Sequence, residues 1–304
     1  MSRVLVTGAS GFVGLPLLRE LAAQGGEVHA LSRASQPPAL EGVSWHRLDL
    51  GDGPALAALL DELRPERLVH AAWYVEHGHF WAAPENVPWV EYSLRLLRAF
   101  VAAGGRRAVM LGTCAEYDWS AVTGPLSERD SPLGPASLYG VAKDSLRRLA
   151  LAYAESEGVE LAWARLFFQY GPREAPARLV ASVIRSLLAG ERAETASGTQ
   201  RRDFLHIDDV AAAIAALLAS GVVGAVNIGS GEALRQSELA ETIAQLIGRP
   251  DLLLLGALPD RPGEPDLLVA DTTRLREEVG FRPRIGLQQG LRATVEWWSQ
   301  GAAA

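Results

Sequence analysis

Tyr139-Gly140-Val141-Ala142-Lys143 sets a phenol and an ammonium four residues apart. On a helix that spacing places both side chains on one face, one turn apart. A free tyrosine titrates near about pH 10. A neighbouring ammonium favours the phenolate and lowers that value, so the pair can exchange a proton with an alcohol or carbonyl oxygen. The chain has 29 basic residues, and Lys143 is the single lysine among them. Arginine holds its charge in a planar fork and does not titrate in the accessible range. The lone lysine therefore marks a position that calls for a compact cation. Upstream, Gly112-Thr113-Cys114 offers a hydroxyl at Thr113 to hydrogen-bond the same oxygen.

A second chemistry lies at the start of the chain. Val4-Leu5-Val6-Thr7-Gly8-Ala9-Ser10-Gly11-Phe12-Val13-Gly14 places three glycines between a strand and a helix. Gly8 permits a tight turn, Gly11 lets backbone approach a pyrophosphate, and Gly14 lets the helix lie near the strand. The free N–H groups of a helix start favour an anion there. Ser10, Phe12 and Val13 complete the predicted loop contacts to a dinucleotide. An acidic residue at the end of the second strand usually holds the ribose 2′-hydroxyl of NAD. Leu31-Ser32-Arg33 stands there instead, which predicts NADP(H) over NAD(H), because Ser32 and Arg33 could bind a 2′-phosphate. Asp49 and Leu50 end the third strand, where a carboxylate can accept from the adenine amino group. His70-Ala71-Ala72-Trp73 ends the fourth, with Ala71, Ala72 and Trp73 read as cofactor contacts and His70 as a satisfied core histidine.

The elements that must position these groups alternate. Strands are predicted over Arg3–Thr7, Glu27–Leu31, Val43–Leu48, Arg67–Ala71, Arg107–Leu111 and Val159–Leu166. Helices are predicted over Phe12–Gln24, Pro54–Leu63, Val90–Ala103 and Ser137–Glu157. Near-continuous apolar strands alternating with helices imply an α/β fold with a doubly wound parallel sheet. The expected division is a dinucleotide-binding Rossmann domain over residues 1–170, with returns near 203–230, and a smaller substrate-binding region of mixed α/β structure over 171–304.

Composition narrows the function classes. Apolar residues are 48% and charged residues 21% of the 304 residues, as in a packed globular chain. A net charge of −7 argues against a sequence-independent nucleic-acid binder, which needs a basic face. The single cysteine excludes an internal disulfide and suits a reducing compartment. The first residues hold too short an apolar run for a signal peptide, and the alanine-rich stretch from Val210 to Val226 reads as a buried helix, a turn and a strand. A cytoplasmic location without membrane contact is expected. No metal site is indicated by the six histidines and one cysteine.

Together these residues resemble the extended short-chain dehydrogenase/reductase family, the NAD-dependent epimerase/dehydratase group acting on nucleotide sugars. The resemblance covers essentially the whole chain. It rests on Gly8, Gly11 and Gly14, on the Tyr139/Lys143 pair, and on Thr113 standing four residues before Tyr117. Arg165-Leu166-Phe167 with Tyr170-Gly171-Pro172, the run Arg202–Val210 and the run Val226–Gly231 also look like family segments. The resemblance implies that Thr113, Tyr139 and Lys143 are catalytic, and that Arg202 and Arg261 clamp a substrate pyrophosphate. It also implies that the helices over 90–103 and 137–157 build a homodimer interface. Three positions depart from the pattern. Cys114-Ala115 replaces the Asp-Glu pair of 4,6-dehydratases, so water elimination is not expected. Phe168 replaces an asparagine that meets the substrate phosphate. Ser32 replaces the acid that suits the permanently bound NAD of C4 epimerases.

The implied activity is NADPH-dependent reduction of a nucleotide-activated 4-keto-6-deoxyhexose. The alternatives are a nucleotide-sugar epimerase and, more remotely, a cofactor-sensing binding protein without chemistry. Cys114 and the aromatic loop from Trp73 to Trp81, which includes His77, are expected to meet the sugar.

Overall fold

The computed structural model describes residues 2–260 and 263–301. Six strands of the first half form parallel ladders: β1 (Arg3–Thr7), β2 (Glu27–Ser32), β3 (Val43–Arg47), β4 (Arg67–His70), β5 (Arg107–Thr113) and β6 (Glu160–Leu166). The strand Gly224–Ile228 completes a seven-stranded sheet, lying outside β6 in the order Gly224–Ile228, β6, β5, β4, β1, β2, β3. Every pairing in this sheet is parallel. The winding reverses between β1 and β4, which opens a crevice at the carboxyl ends of the strands.

Helices cover both faces because both faces of the strands are apolar. On one side α1 (Gly14–Ala23) packs with α6 (Ile207–Ala219). Leu17, Leu18, Val210 and Ile214 are buried there against Val4, Val6 and Val109. On the other side α3 (Asn86–Ala102) packs with α4 (Leu138–Ser156), burying Leu96, Leu97, Phe100 and Leu146 against Leu5, Leu68 and Met110. Full burial of such a side chain is worth about 1.5–3 kcal/mol, so these layers dominate the packing energy. A third cluster joins α5 (Leu179–Leu188), α7 (Gln236–Ile247) and α9 (Leu287–Gly301) beyond the sheet.

Local sequence sets where the helices start and stop. Asp52 caps α2 (Gly53–Leu63) by accepting from the Ala55 N–H at 3.1 Å. Ser137 caps α4 by accepting from the Gly140 N–H at 3.1 Å. The first helix begins at Gly14, two residues beyond the predicted Phe12, because the Gly11 N–H closes a turn onto the Gly8 carbonyl at 3.0 Å. The Val210–Val226 stretch forms the end of α6, a turn and a strand, as its composition predicts. No helix among the described residues is long and apolar enough to cross a membrane.

Asp203 fastens the second half to the sheet. Its buried carboxylate accepts from Ser230 N at 2.6 Å, Gly231 N at 3.0 Å and Ala270 N at 3.1 Å. Three segments distant in sequence therefore meet on one side chain at the carboxyl edge of the sheet.

Candidate active site

The crevice is a cleft of about 530 Å³ that brings together groups from nearly every crossover. All the predicted cofactor contacts line it: Gly8, Ser10, Gly11, Phe12, Val13, Gly14, Ser32, Arg33, Asp49, Leu50, Ala71, Ala72, Trp73, Tyr139 and Lys143. Thr113, Cys114 and His77 line it too. The sequence-based expectation for Arg202 is different in outcome. Its guanidinium lies behind the wall, bonded to Glu264 at 3.0 Å and the Pro265 carbonyl at 2.8 Å, and its charge sits 5.6 Å from the Phe168 ring centroid. Arg261 lies outside the described residues.

The phosphate loop has the shape an anion requires. Gly8 has φ +65°, and a Cβ there would fall 2.6 Å from Ala72 N. A Cβ at Gly14 would fall 2.2 Å from the Gly8 carbonyl oxygen. At Gly11 the one atom within 4 Å of a built Cβ is that same oxygen at 3.1 Å, so the chain leaves space beside this glycine. Only glycine gives this turn, this helix approach and this access together, and the residues present fit a dinucleotide pyrophosphate. At the adenosine end, the Ser32 hydroxyl bonds the Ser10 hydroxyl at 2.8 Å and accepts from Ala34 N at 3.1 Å. Arg33 is exposed and stands 3.9 Å from the Asp49 carboxylate. An exposed pair at that distance contributes little, so both groups are available to a ligand.

Tyr139 and Lys143 project from the first turns of α4 into the cleft. Lys143 Nζ donates to the Leu111 carbonyl at 2.9 Å and lies 3.8 Å from the Trp73 ring centroid. Burial pulls its ammonium down to about 7, against the attraction of Glu116. Burial pushes the Tyr139 phenol above its ordinary range; a hydrogen bond with Thr113 and the charge of Arg178 oppose the rise. The expected acidification of Tyr139, by Lys143 together with the positive ring of an oxidised nicotinamide, does not come from Lys143 alone. Lys143 is turned to the Leu111 carbonyl and the Trp73 ring, and the desolvated phenol keeps its proton at neutral pH.

The loop after β4 closes over this pair. Phe80 and Trp81 meet the Tyr139 ring edge-on, at centroid distances of 4.9 and 5.8 Å. Tyr139 N donates to the Trp81 carbonyl at 3.1 Å. Asn86, fully buried, ties the loop's two arms: it accepts from the Trp73 indole N–H at 2.8 Å and donates to the Phe80 and Ala83 carbonyls at 2.7 and 2.9 Å. His77 sits exposed on the rim. His70 is a core residue, bonded to Thr7 Oγ1 at 2.7 Å and Ser93 Oγ at 2.8 Å.

Thr113 owes its position to a buried carboxylate that follows it three residues on. Glu116 is fully buried, and its Oε1 accepts from Thr113 N at 2.8 Å and Trp163 Nε1 at 2.9 Å. Its Oε2 accepts from Arg165 Nε at 2.7 Å. Arg165 donates on to Tyr117 Oη at 3.2 Å, and Tyr117 donates to Asn227 Oδ1 at 2.9 Å. The Thr113-x-x-Glu116 spacing is a capping signature that was available in the sequence. Cys114, the next residue, is buried, and desolvation pushes its thiol up to about 12. Gln169, Arg178 and Trp119 also line the cleft, and no local motif singled them out.

The NAD dependent epimerase/dehydratase family matches residues 4–229. The chain belongs to this family. It is an enzyme of the extended short-chain dehydrogenase/reductase type, as its motifs implied. It is 32% identical to the dTDP-glucose 4,6-dehydratase of Streptomyces griseus, over 98% of this chain and 94% of that protein. It is 30% identical to the GDP-6-deoxy-D-mannose reductase of Pseudomonas aeruginosa, over 97% of each. Among solved structures, MoeE5 in complex with UDP-glucuronic acid and NAD superposes with a TM-score of 0.87 at 33% identity, covering 99% of this chain and 100% of that one. Relatives within the family thus include dehydratases and reductases of nucleotide sugars, and the cleft must distinguish between those chemistries.

Proposed function

We propose that the protein reduces a nucleotide-activated 4-keto-6-deoxyhexose to the corresponding hydroxy sugar, using NADPH. The observation that carries this reading is Tyr139, a phenol that lines the cleft together with Thr113, beside a Cys114 thiol pushed up to about 12. A dehydratase needs a further acid/base pair next to the catalytic threonine. Cys114 and Ala115 stand there, and a thiol so high does not relay protons near neutrality. The GDP-6-deoxy-D-mannose reductase relative belongs to the same reaction class.

The cofactor, when bound, supplies the hydride. The phosphate loop holds its pyrophosphate, Ser32 and Arg33 meet the 2′-phosphate, and Asp49 meets the adenine. Thr113 orients the ketone oxygen, Tyr139 gives that oxygen its proton, and Lys143 holds the nicotinamide ribose. The aromatic wall of Phe80, Trp81 and Trp119 excludes water and packs on the sugar. The region beyond residue 170 holds the nucleotide diphosphate. Val141 and Leu149, exposed on α4, and Val87, exposed on α3, support a homodimer built on those helices.

The test is NADPH oxidation with a panel of nucleotide-linked 4-keto-6-deoxyhexoses. Steady, stoichiometric consumption supports the reading. Conversion of a sugar to its isomer without added cofactor would make the protein an epimerase instead. Cofactor binding with no turnover of any keto sugar would leave the non-catalytic reading. Comparing NADPH with NADH, in wild type and Arg33→Ala, tests the 2′-phosphate contact.

A further inference from the structure

A second space, of about 480 Å³, lies against the phosphate loop. Ser10, Gly11 and Phe12 line it as well as the main cleft, and the 173–178 segment contributes to both, so the two spaces meet at the loop. Its other walls come from distant parts of the chain: Arg173 and Glu174 after β6, and Trp297 and Trp298 on α9. The loop itself offers a pyrophosphate only backbone N–H groups, a helix dipole and one hydroxyl, whereas bound pyrophosphate carries formal negative charge.

Arg173 has φ +70°, in the left-handed region that a side chain as large as arginine rarely adopts. The corner around it is pinned. Glu174 N donates to the Gly171 carbonyl at 3.3 Å, and the Glu174 carboxyl lies 3.5 Å from Arg178 at the start of α5. Glu174 is 3% exposed, and its Oε2 has no hydrogen-bond partner among the described residues. Burial pushes this carboxyl up to about 8, against the pull of Arg178, so it does not cancel the charge of its neighbour Arg173 near neutral pH. The Trp298 indole N–H is also buried without a partner among the described residues. An exposed cation is thus held in a costly backbone conformation in a space that Gly11 also lines.

We infer that Arg173 is a cofactor-binding residue, the cation that meets the dinucleotide pyrophosphate where the two spaces join at Gly11. The inference rests on the dinucleotide reading of the phosphate loop, though not on the keto-sugar substrate. Glu174 acts through Arg173 as a positioning residue, by fixing the corner that presents it.

Binding of ADP-ribose to the full chain, followed by tryptophan fluorescence, tests this without any turnover. Arg173→Gly suits the left-handed backbone, and Arg173→Asn provides a second variant that tolerates it. A charge-assisted contact of about 1.5–3 kcal/mol corresponds to roughly 10–100-fold in affinity. Both variants should lose that factor for ADP-ribose, and equally for NADH and NADPH, with weaker salt dependence than wild type. Arg173→Lys should fall between them and wild type. Adenosine 2′-monophosphate, which has no pyrophosphate, should bind all Arg173 variants as it binds wild type. Unchanged ADP-ribose affinity in either correctly folded variant overturns the role of Arg173. Failure of the wild type to bind ADP-ribose, NADH or NADPH overturns the dinucleotide reading itself, a distinct outcome.

Discussion

Lys143 Nζ rests 3.8 Å from the centroid of the Trp73 indole, and this contact joins the single lysine of the chain to the loop that follows β4. A cation over an indole is worth about 0.5–2 kcal/mol, more when desolvated. Trp73 is itself held by Asn86, which also holds the segment carrying Phe80 and Trp81 onto Tyr139. One buried amide therefore sets the surroundings of both Tyr139 and Lys143.

That clamp makes Asn86 vulnerable. Asn86→Ala leaves the Trp73 N–H and two carbonyls without their partner in a buried place. The expected cost is about 2–4 kcal/mol by urea denaturation. Trp73→Phe keeps a ring under Lys143 and should retain more turnover than Trp73→Leu. Equal turnover in those two variants would show that the cation–ring contact does not support catalysis.

Tyr139→Phe preserves the edge-on contacts with Phe80 and Trp81 and removes only the hydroxyl. Turnover of a keto sugar should fall by about 10²–10⁴-fold. NADPH affinity, read by fluorescence, should stay within about twofold of wild type, because the phosphate loop and Ser32 are untouched. Residual turnover near the wild-type value would deny Tyr139 the acid role.

Glu116 and Arg165 form a buried ion pair at 2.7 Å, with 0% and 1% of their side chains exposed. Removing one partner of such a pair costs about 3–5 kcal/mol, because a charge is left behind. Glu116→Ala should lose that much in chemical denaturation. Glu116→Gln with Arg165→Met should recover part of it. The catalytic readout differs from the stability readout: at temperatures where Glu116→Gln is folded, turnover should still fall, since the Thr113 N–H loses a charged acceptor.

His70 predicts an acid limb of stability. Burial, helped by the charge of Lys143, holds its imidazole down to about 3 in the folded chain. An unfolded imidazole takes up its proton near about pH 6.5. Between those values the unfolded state binds more protons, so stability is lost as pH falls through that window, by up to about 1.4 kcal/mol per pH unit. His70→Asn should flatten this dependence in denaturation curves taken from pH 7 to pH 4. An unaltered slope would assign the acid limb to the carboxylates.

Much of this molecule is determined by short-range patterns. The Gly8-Gly11-Gly14 turn, the caps at Asp52 and Ser137 and the four-residue Tyr139–Lys143 spacing each need only their own neighbours, and alternating apolar runs specify the parallel sheet. Charge state and pairing across the fold were decided by tertiary structure alone. Lys143 lies over the Trp73 ring, Arg202 is engaged by Glu264, and Arg173 comes from beyond the sixth strand to line a space beside Gly11. Desolvation and ion pairing depend on which distant segments bury a group. Those segments meet only once the crossovers have closed the sheet, so spacing along the chain carries no record of them.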